Sequence, residues 1–206
     1  MAFISYAFFI FFLIVFVLYW AFPKTRWQNF LLFSASLVFY GWLAAWHVWV
    51  LLASIVADYL LALGMARWKP RSALFMWLGI LLNLALLLSV KYYAHYDETL
   101  ELWARQLGYQ GDTYIGLILL PLGTSFYTLK KIGYLVDVQR GTLQPVKDFF
   151  SFGAYVAFFP QVLSGPIDRP QTFLKQVEVP RVWESGHFYN AWQLILMGFF
   201  KKIVIA

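Results

Sequence analysis

The first 22 residues, MAFISYAFFIFFLIVFVLYWAF, carry no charged side chain and no Gly or Pro. A run of about twenty apolar residues is long enough to cross roughly 30 Å of hydrocarbon as a helix. It lacks the basic leader and small-residue cleavage site of a secretory signal, so it reads as a retained anchor. Three more apolar runs follow at about 28–46, 47–66 and 72–90, the first two of these joined by almost nothing around Trp46-His47. After a polar interlude over 91–113 come apolar segments near 114–136, 149–166 and 188–206, each interrupted by Gly, Pro or charge. The expectation is an all-α, polytopic membrane bundle with broken or re-entrant segments, in a single domain over 1–206.

Composition excludes the soluble alternative. Hydrophobic residues make up 62% of the chain and charged residues 13%, where a soluble domain has about half and about a quarter. There is no cysteine, so a disulfide framework, a thiolate nucleophile and a thiolate metal site are all excluded, and no metal site is expected. The formal charge of +6 is scattered between apolar runs rather than gathered on one face. That pattern serves topology and not a nucleic-acid partner.

The scattered charges also suggest an orientation. Lys24 and Arg26 follow the first run, Arg67, Lys69 and Arg71 the third, and neither loop holds an acid. The interlude carries Lys91 and Arg105 against Asp97, Glu98, Glu101 and Asp112. Basic loops stay cytoplasmic, so the N-terminus and the interlude are expected outside. A connector holding Lys130, Lys131, Arg140 and Lys147 then falls on the cytoplasmic side. The location that fits is a bacterial cytoplasmic membrane, crossed several times.

Polar residues inside the runs need partners. Asp58 lies mid-run in LLASIVADYLLAL, with Ser54 one turn back on the same face. A carboxylate there costs about 2.5–3.5 kcal/mol on insertion scales, so it must face protein or water. A carboxyl that holds helices together, with Asn83 as its partner, outweighs a proton or substrate contact. His47 sits at a helix end, His95 in an exposed loop, and His187 before the last run. None has a positioned partner, so none is assigned as a catalytic base. Walker, dinucleotide, zinc-protease and serine-hydrolase signatures are absent.

Two stretches carry more. In LPLGTSFYTLKKIGYLVDVQRG, residues 120–141, Pro121 and Gly123 should break the helix, with Ser125, Tyr127 and Thr128 offering hydroxyls to the freed backbone. In FFPQVLSGPIDRP, residues 158–170, Pro160 and Pro166 do the same, with Gln161, Ser164 and the Asp168–Arg169 pair around the break. Broken backbone survives at membrane depth only where protein buries it or a wet cavity is lined by it. Two such breaks imply an internal passage that water can reach.

With LILMGFFKKIVIA at the end, these stretches resemble, in order and spacing, the membrane-bound O-acyltransferase family, in the branch of the alginate O-acetylases and the D-alanyl transfer protein of teichoic acid modification. The resemblance extends over essentially the whole chain and implies acyl transfer, acetyl above all, to a hydroxyl of an exported polysaccharide such as alginate. It implies an acyl donor as co-substrate, acetyl-CoA or an acyl-carrier thioester, with no bound cofactor. Periplasmic acetyl-transfer proteins or an acyl carrier protein are the implied partners, beside the bilayer and the acceptor. The family's essential histidine lies in a Trp-His context downstream of a GFFKK-like segment, and no residue here matches it. The chain is therefore expected to be the N-terminal part of such an enzyme, catalytically inactive by itself. Ser125, Tyr127, Gln161, Ser164 and Arg169 are the candidates for lining the substrate path. A transporter component, which also uses interrupted helices, and a non-catalytic scaffold are the competing readings.

Overall fold

The computed structural model describes residues 5–43, 45–106, 123–163, 165–166 and 168–201. Among these, helices are α1 Tyr6–Ala21, α2 Thr25–Leu43, α3 Ala45–Arg67, α4 Ser72–Gln106, α5 Thr124–Gln139, α6 Phe149–Ala157, α7 Pro170–Glu178 and α8 Ser185–Phe200. The described residues contain no strand. The all-α membrane architecture expected from the apolar runs is what the chain adopts. By length and composition two helices are suited to cross a membrane, Ala45–Arg67 and Lys69–Ser89, and α1 is a shorter apolar helix. Their outward residues, such as Leu60, Leu74, Trp77 and Leu81, are exposed and apolar, as lipid-facing positions are.

Local chemistry sets the boundaries. Ser5 caps α1 by accepting from the Phe8 amide at 3.2 Å, and the helix stops ahead of Pro23. Asp148 caps α6 in the same way, accepting from the Ser151 amide at 2.8 Å. α6 ends at Ala157 because Pro160 has no N–H to give and crowds the carbonyl one turn back. The Gln161 and Val162 amides then both turn onto the Phe158 carbonyl, at 2.8 and 2.9 Å. Pro170 sits in the first turn of α7, where its missing N–H costs nothing.

One boundary differs from expectation. The interlude at 91–113 does not begin as a loop: α4 continues through it to Gln106, so His95 lies in a helix and not in an exposed loop. KYYAHYDETLELWARQ contains no Gly or Pro, and its Lys, Glu, Arg, Gln, Leu and Ala are good helix formers. Loss of hydrophobicity marks where burial or lipid contact changes, not where a helix stops.

Long-range contacts fix the arrangement. Tyr59, two turns from the end of α3, donates its hydroxyl to the Lys147 carbonyl at 2.6 Å, and Arg26 stands 3.9 Å from Asp148. The start of α2, the ends of α3 and α5 and the start of α6 therefore share one end of the bundle. Lys24, Arg26, Arg67, Lys69, Arg71, Arg140 and Lys147 gather there as a basic end. α8 runs back along α1, with Phe188 against Phe16 and Phe199 against Phe9.

The second broken stretch forms a hairpin within this frame. α6 enters from the basic end beside Asn29, whose amide donates to Ser151 Oγ at 2.8 Å. The chain turns at 158–163 and comes back. The same Asn29 amide donates to the Val177 carbonyl at 2.8 Å, near the end of α7. Gln171 donates to Asp137 at 2.7 Å, so α7 lies across the basic end from α5 to α2. Its Pro170, Leu174 and Val177 point inward at helical spacing. Arg181, in the connector to α8, closes the clip, donating to Asn29 Oδ1 at 2.6 Å and to Gln28 Oε1 at 3.1 Å. Burial lowers the Arg181 pKa, which Tyr19, stacked beneath the guanidinium, partly offsets.

Candidate functional site

The two broken stretches meet. Gly123, which leads into α5, has φ +75°, the left-handed region that favours glycine. Its α-carbon lies so close to the Val162 carbonyl that a Cβ there would collide with the carbonyl oxygen. The start of α5 is thus pressed against the tip of the α6–α7 hairpin. Pro121 lies outside the described residues.

α5 carries two adjacent lysines, and both are buried. This corrects the assignment of Lys130 and Lys131 to a cytoplasmic connector: they lie inside a helix, and only Arg140 and Lys147 remain outside it. Neighbouring residues on a helix point about 100° apart, so the two ammonium groups face different neighbours. Lys131 reaches Asp58 Oδ2 at 3.0 Å, and the Asn83 amide donates to both Asp58 oxygens at 2.9 and 2.8 Å. Gly79 makes room for this contact, since a side chain there would strike Leu135 and approach Asp58. Asp58 is therefore the helix-joining carboxyl that its position suggested, with a cation the sequence reading had put elsewhere. Ser54 turns its hydroxyl to the Leu51 carbonyl at 2.7 Å and takes no part.

Lys130 faces the hairpin. Its ammonium donates to Gln161 Oε1 at 2.8 Å and lies 5.3 Å from the centre of the Tyr155 ring. The Gln161 amide in turn donates to Asp168, whose backbone carbonyl accepts from the Tyr155 hydroxyl at 3.4 Å. Lys130, Gln161 and Asp168 form a polar seam between α5, the hairpin tip and the returning strand of chain. The seam opens into a cleft of about 330 Å³ bounded by Leu129, Gly133, Val136, Arg140, Asp168 and Arg169. A cleft of this size lies at the lower end of the range for small-molecule sites.

The expected path residues are distributed unevenly around this seam. Gln161 is part of it and Arg169 stands at the cleft. Tyr127 is fully buried on the other side of α5, its ring 5.4 Å from the Lys131 ammonium and its hydroxyl among those of Tyr40 and Thr124. Ser125 is exposed on α5, and Ser164 lies outside the described residues. His47 is buried in the first turn of α3. Lys130 and Asp137 are the site residues that sequence reasoning missed as such. The signal for Lys130 was two charges inside an apolar segment that also contains Pro and Gly. The described residues hold no cluster of side chains suited to a metal.

Over its whole length the chain is 34% identical to the probable alginate O-acetylase of Pseudomonas aeruginosa and 32% identical to that of Azotobacter vinelandii. The chain belongs to the membrane-bound O-acyltransferase family. A further member, the peptidoglycan O-acetyltransferase of Helicobacter pylori, is 28% identical over 84% of the chain. The chain spans 40%, 42% and 37% of these three acyltransferases respectively. No protein-family model and no solved structure matches it. Both broken stretches, and the seam they form, fall inside the aligned region.

Proposed function

We propose that this chain forms the entry half of a membrane-bound O-acetyltransferase that modifies hydroxyls of an exported polysaccharide, alginate being the acceptor best supported by its relatives. The observation that carries this reading is the polar seam. Lys130, Gln161 and Asp168 bring an ammonium, an amide and a carboxylate together where two broken helices meet. Unlike the buried Asp58–Lys131–Asn83 contact, this set borders an open cleft where a ligand can reach it.

In this reading the chain binds and orients, and the proton is moved elsewhere. The family's Trp-His segment, downstream of a GFFKK-like stretch, has no match in this chain, so the general base is assigned to the part of the relatives that this chain does not align with. That base takes the proton of the sugar hydroxyl, whose oxygen attacks the acyl carbonyl of a thioester donor as the thiolate leaves. The Lys130 ammonium is suited to hold a carbonyl or carboxylate oxygen beside the path, with the rings of Tyr155 and Phe173 next to it. The enzyme sits in the cytoplasmic membrane with its basic end inward, as the loop charges favour.

The test is a fusion of this chain to the unaligned remainder of the P. aeruginosa relative, with acetyl groups on the secreted polymer as readout. Lys130→Met and Gln161→Leu are expected to cut acetylation by at least tenfold while membrane levels hold. Full acetylation with both substitutions contradicts the reading.

A further inference from the structure

On the far side of the bundle from the cleft, Arg181 is held only by neutral groups. Its guanidinium donates to Gln28 Oε1 at 3.1 Å and to Asn29 Oδ1 at 2.6 Å, and its carbon lies 5.5 Å from the centre of the Tyr19 ring. These contacts fix the group and leave its charge uncancelled. Lys131 has Asp58 and Arg26 stands near Asp148, but no carboxylate accepts from Arg181 among the described residues. A guanidinium has more N–H groups than two acceptors use, and Arg181 is half-buried rather than sealed. Apolar surface adjoins it. Two residues on, Trp183 packs edge-on against Trp20 with ring centres 4.8 Å apart, and lies 5.0 Å from Phe188 and 6.1 Å from Phe16. No Cα of α8 comes within 8 Å of a Cα of α1. The two helices meet through these rings alone, which leaves a shallow furrow between them. Trp183 and Phe188 are 47% and 44% exposed along it.

We propose that Arg181 and the furrow between α1 and α8 hold one anionic phospholipid from the leaflet at the basic end. Its phosphate rests on the guanidinium, and an acyl chain lies along Phe16, Trp20, Trp183 and Phe188. Guanidinium N–H groups match phosphate oxygens, and Arg is less strongly hydrated than Lys, so it pairs well where water is scarce. Tryptophans such as Trp20 and Trp183 sit at headgroup level in membrane proteins, which sets Arg181 at the depth of the lipid phosphates. A soluble anion would satisfy the charge and leave the rings bare. A purely apolar occupant would cover the rings and leave the charge. Phosphatidylcholine carries its own cation beside the phosphate, so a lipid with net negative charge, such as phosphatidylglycerol, is preferred. The site is separate from the acyl-transfer cleft and its test reads lipid binding, so its failure leaves the earlier reading standing.

The full chain is placed in phosphatidylcholine nanodiscs containing one part in ten of phosphatidylglycerol with a diazirine in one acyl chain. Lipid retained after detergent extraction is counted by native mass spectrometry, and crosslinks formed on irradiation are mapped. Phosphatidylglycerol is expected to be retained at least fivefold above its share, with crosslinks within 16–20 and 183–188. Arg181→Gln is expected to abolish the enrichment. Arg181→Lys, which gives up the forked contact to Gln28 and Asn29 but keeps the charge, is expected to retain most of it. Lys69→Gln, which removes a cation elsewhere at the basic end, is expected to leave it unchanged. Retention in proportion to the lipid mixture, crosslinks away from α1 and α8, or undiminished enrichment in Arg181→Gln overturns the site. So does an equal loss in Arg181→Lys, which would mark the loss of the clip, or in Lys69→Gln, which would mark general attraction to the basic end.

Discussion

The Lys131 ammonium lies 3.0 Å from the Asp58 carboxylate, with both side chains buried and the Asn83 amide closing the other side. α3, α4 and α5 are joined by this one contact, 73 residues apart in sequence between its charged ends. Removing one member of a buried pair leaves an uncompensated charge and costs about 3–5 kcal/mol, whereas replacing both by apolar groups is often neutral. Lys131→Met is therefore expected to lower the thermal midpoint in detergent sharply. Asp58→Leu/Lys131→Met should recover most of the loss. A single variant as stable as the parent would show that the pair contributes nothing.

Gly123 and Gly141 share a backbone conformation, φ +75° and +74°, but not surroundings. A Cβ at Gly141 meets nothing within 4 Å, while one at Gly123 collides with the Val162 carbonyl. Gly141→Ala is expected to cost only the left-handed penalty, about 1–2 kcal/mol. Gly123→Ala should cost clearly more, because the hairpin tip must move away from α5. Equal losses in thermal unfolding would mean that the tip and the start of α5 do not touch.

Asn29 is the clip that holds both ends of the hairpin, through Ser151 and Val177, and the connector after it, through Arg181. Asn29→Leu takes one partner each from Ser151, which keeps Asp148, from Arg181, which keeps Gln28, and from the Val177 carbonyl, and a buried group left unsatisfied costs about 1–3 kcal/mol. The expected readout is protease cleavage at 179–184 that rises several-fold over the parent. An unchanged cleavage rate would place the clip's contribution elsewhere.

The outline of the fold was legible because lipid demands uniform apolar runs: α1 to α3 fall within a few residues of those runs. Asp58 and Asn83 could be paired from sequence because each is a lone polar residue mid-run. Lys130 and Lys131 were misread for a physical reason. In hydropathy terms a charge ends a span, and only the fold supplies the partners, Asp58 and Gln161, that keep these two inside. FFPQVLSGPIDRP announced a break, yet its return to the entry end depends on Asn29, more than a hundred residues away. Of the expected path residues, Gln161 reached the seam and Arg169 the cleft, through the turn chemistry that Pro160 and Pro170 impose. Ser125 did not: it is exposed one turn ahead of Leu129, where the cleft lining on α5 begins.

The account rests on the cleft between α5 and the hairpin being open to water at the basic end. The chain has no cysteine, so a single introduced thiol reports its own surroundings. The direct measurement is the labelling rate of Gly133→Cys by a water-soluble, membrane-impermeant maleimide in inside-out and right-side-out vesicles, with Phe39→Cys in the closed core as reference. The account predicts that Gly133→Cys labels at least tenfold faster than Phe39→Cys, and only from the side that exposes the basic end. Labelling as slow as Phe39→Cys from both sides would mean a dry contact and would contradict it.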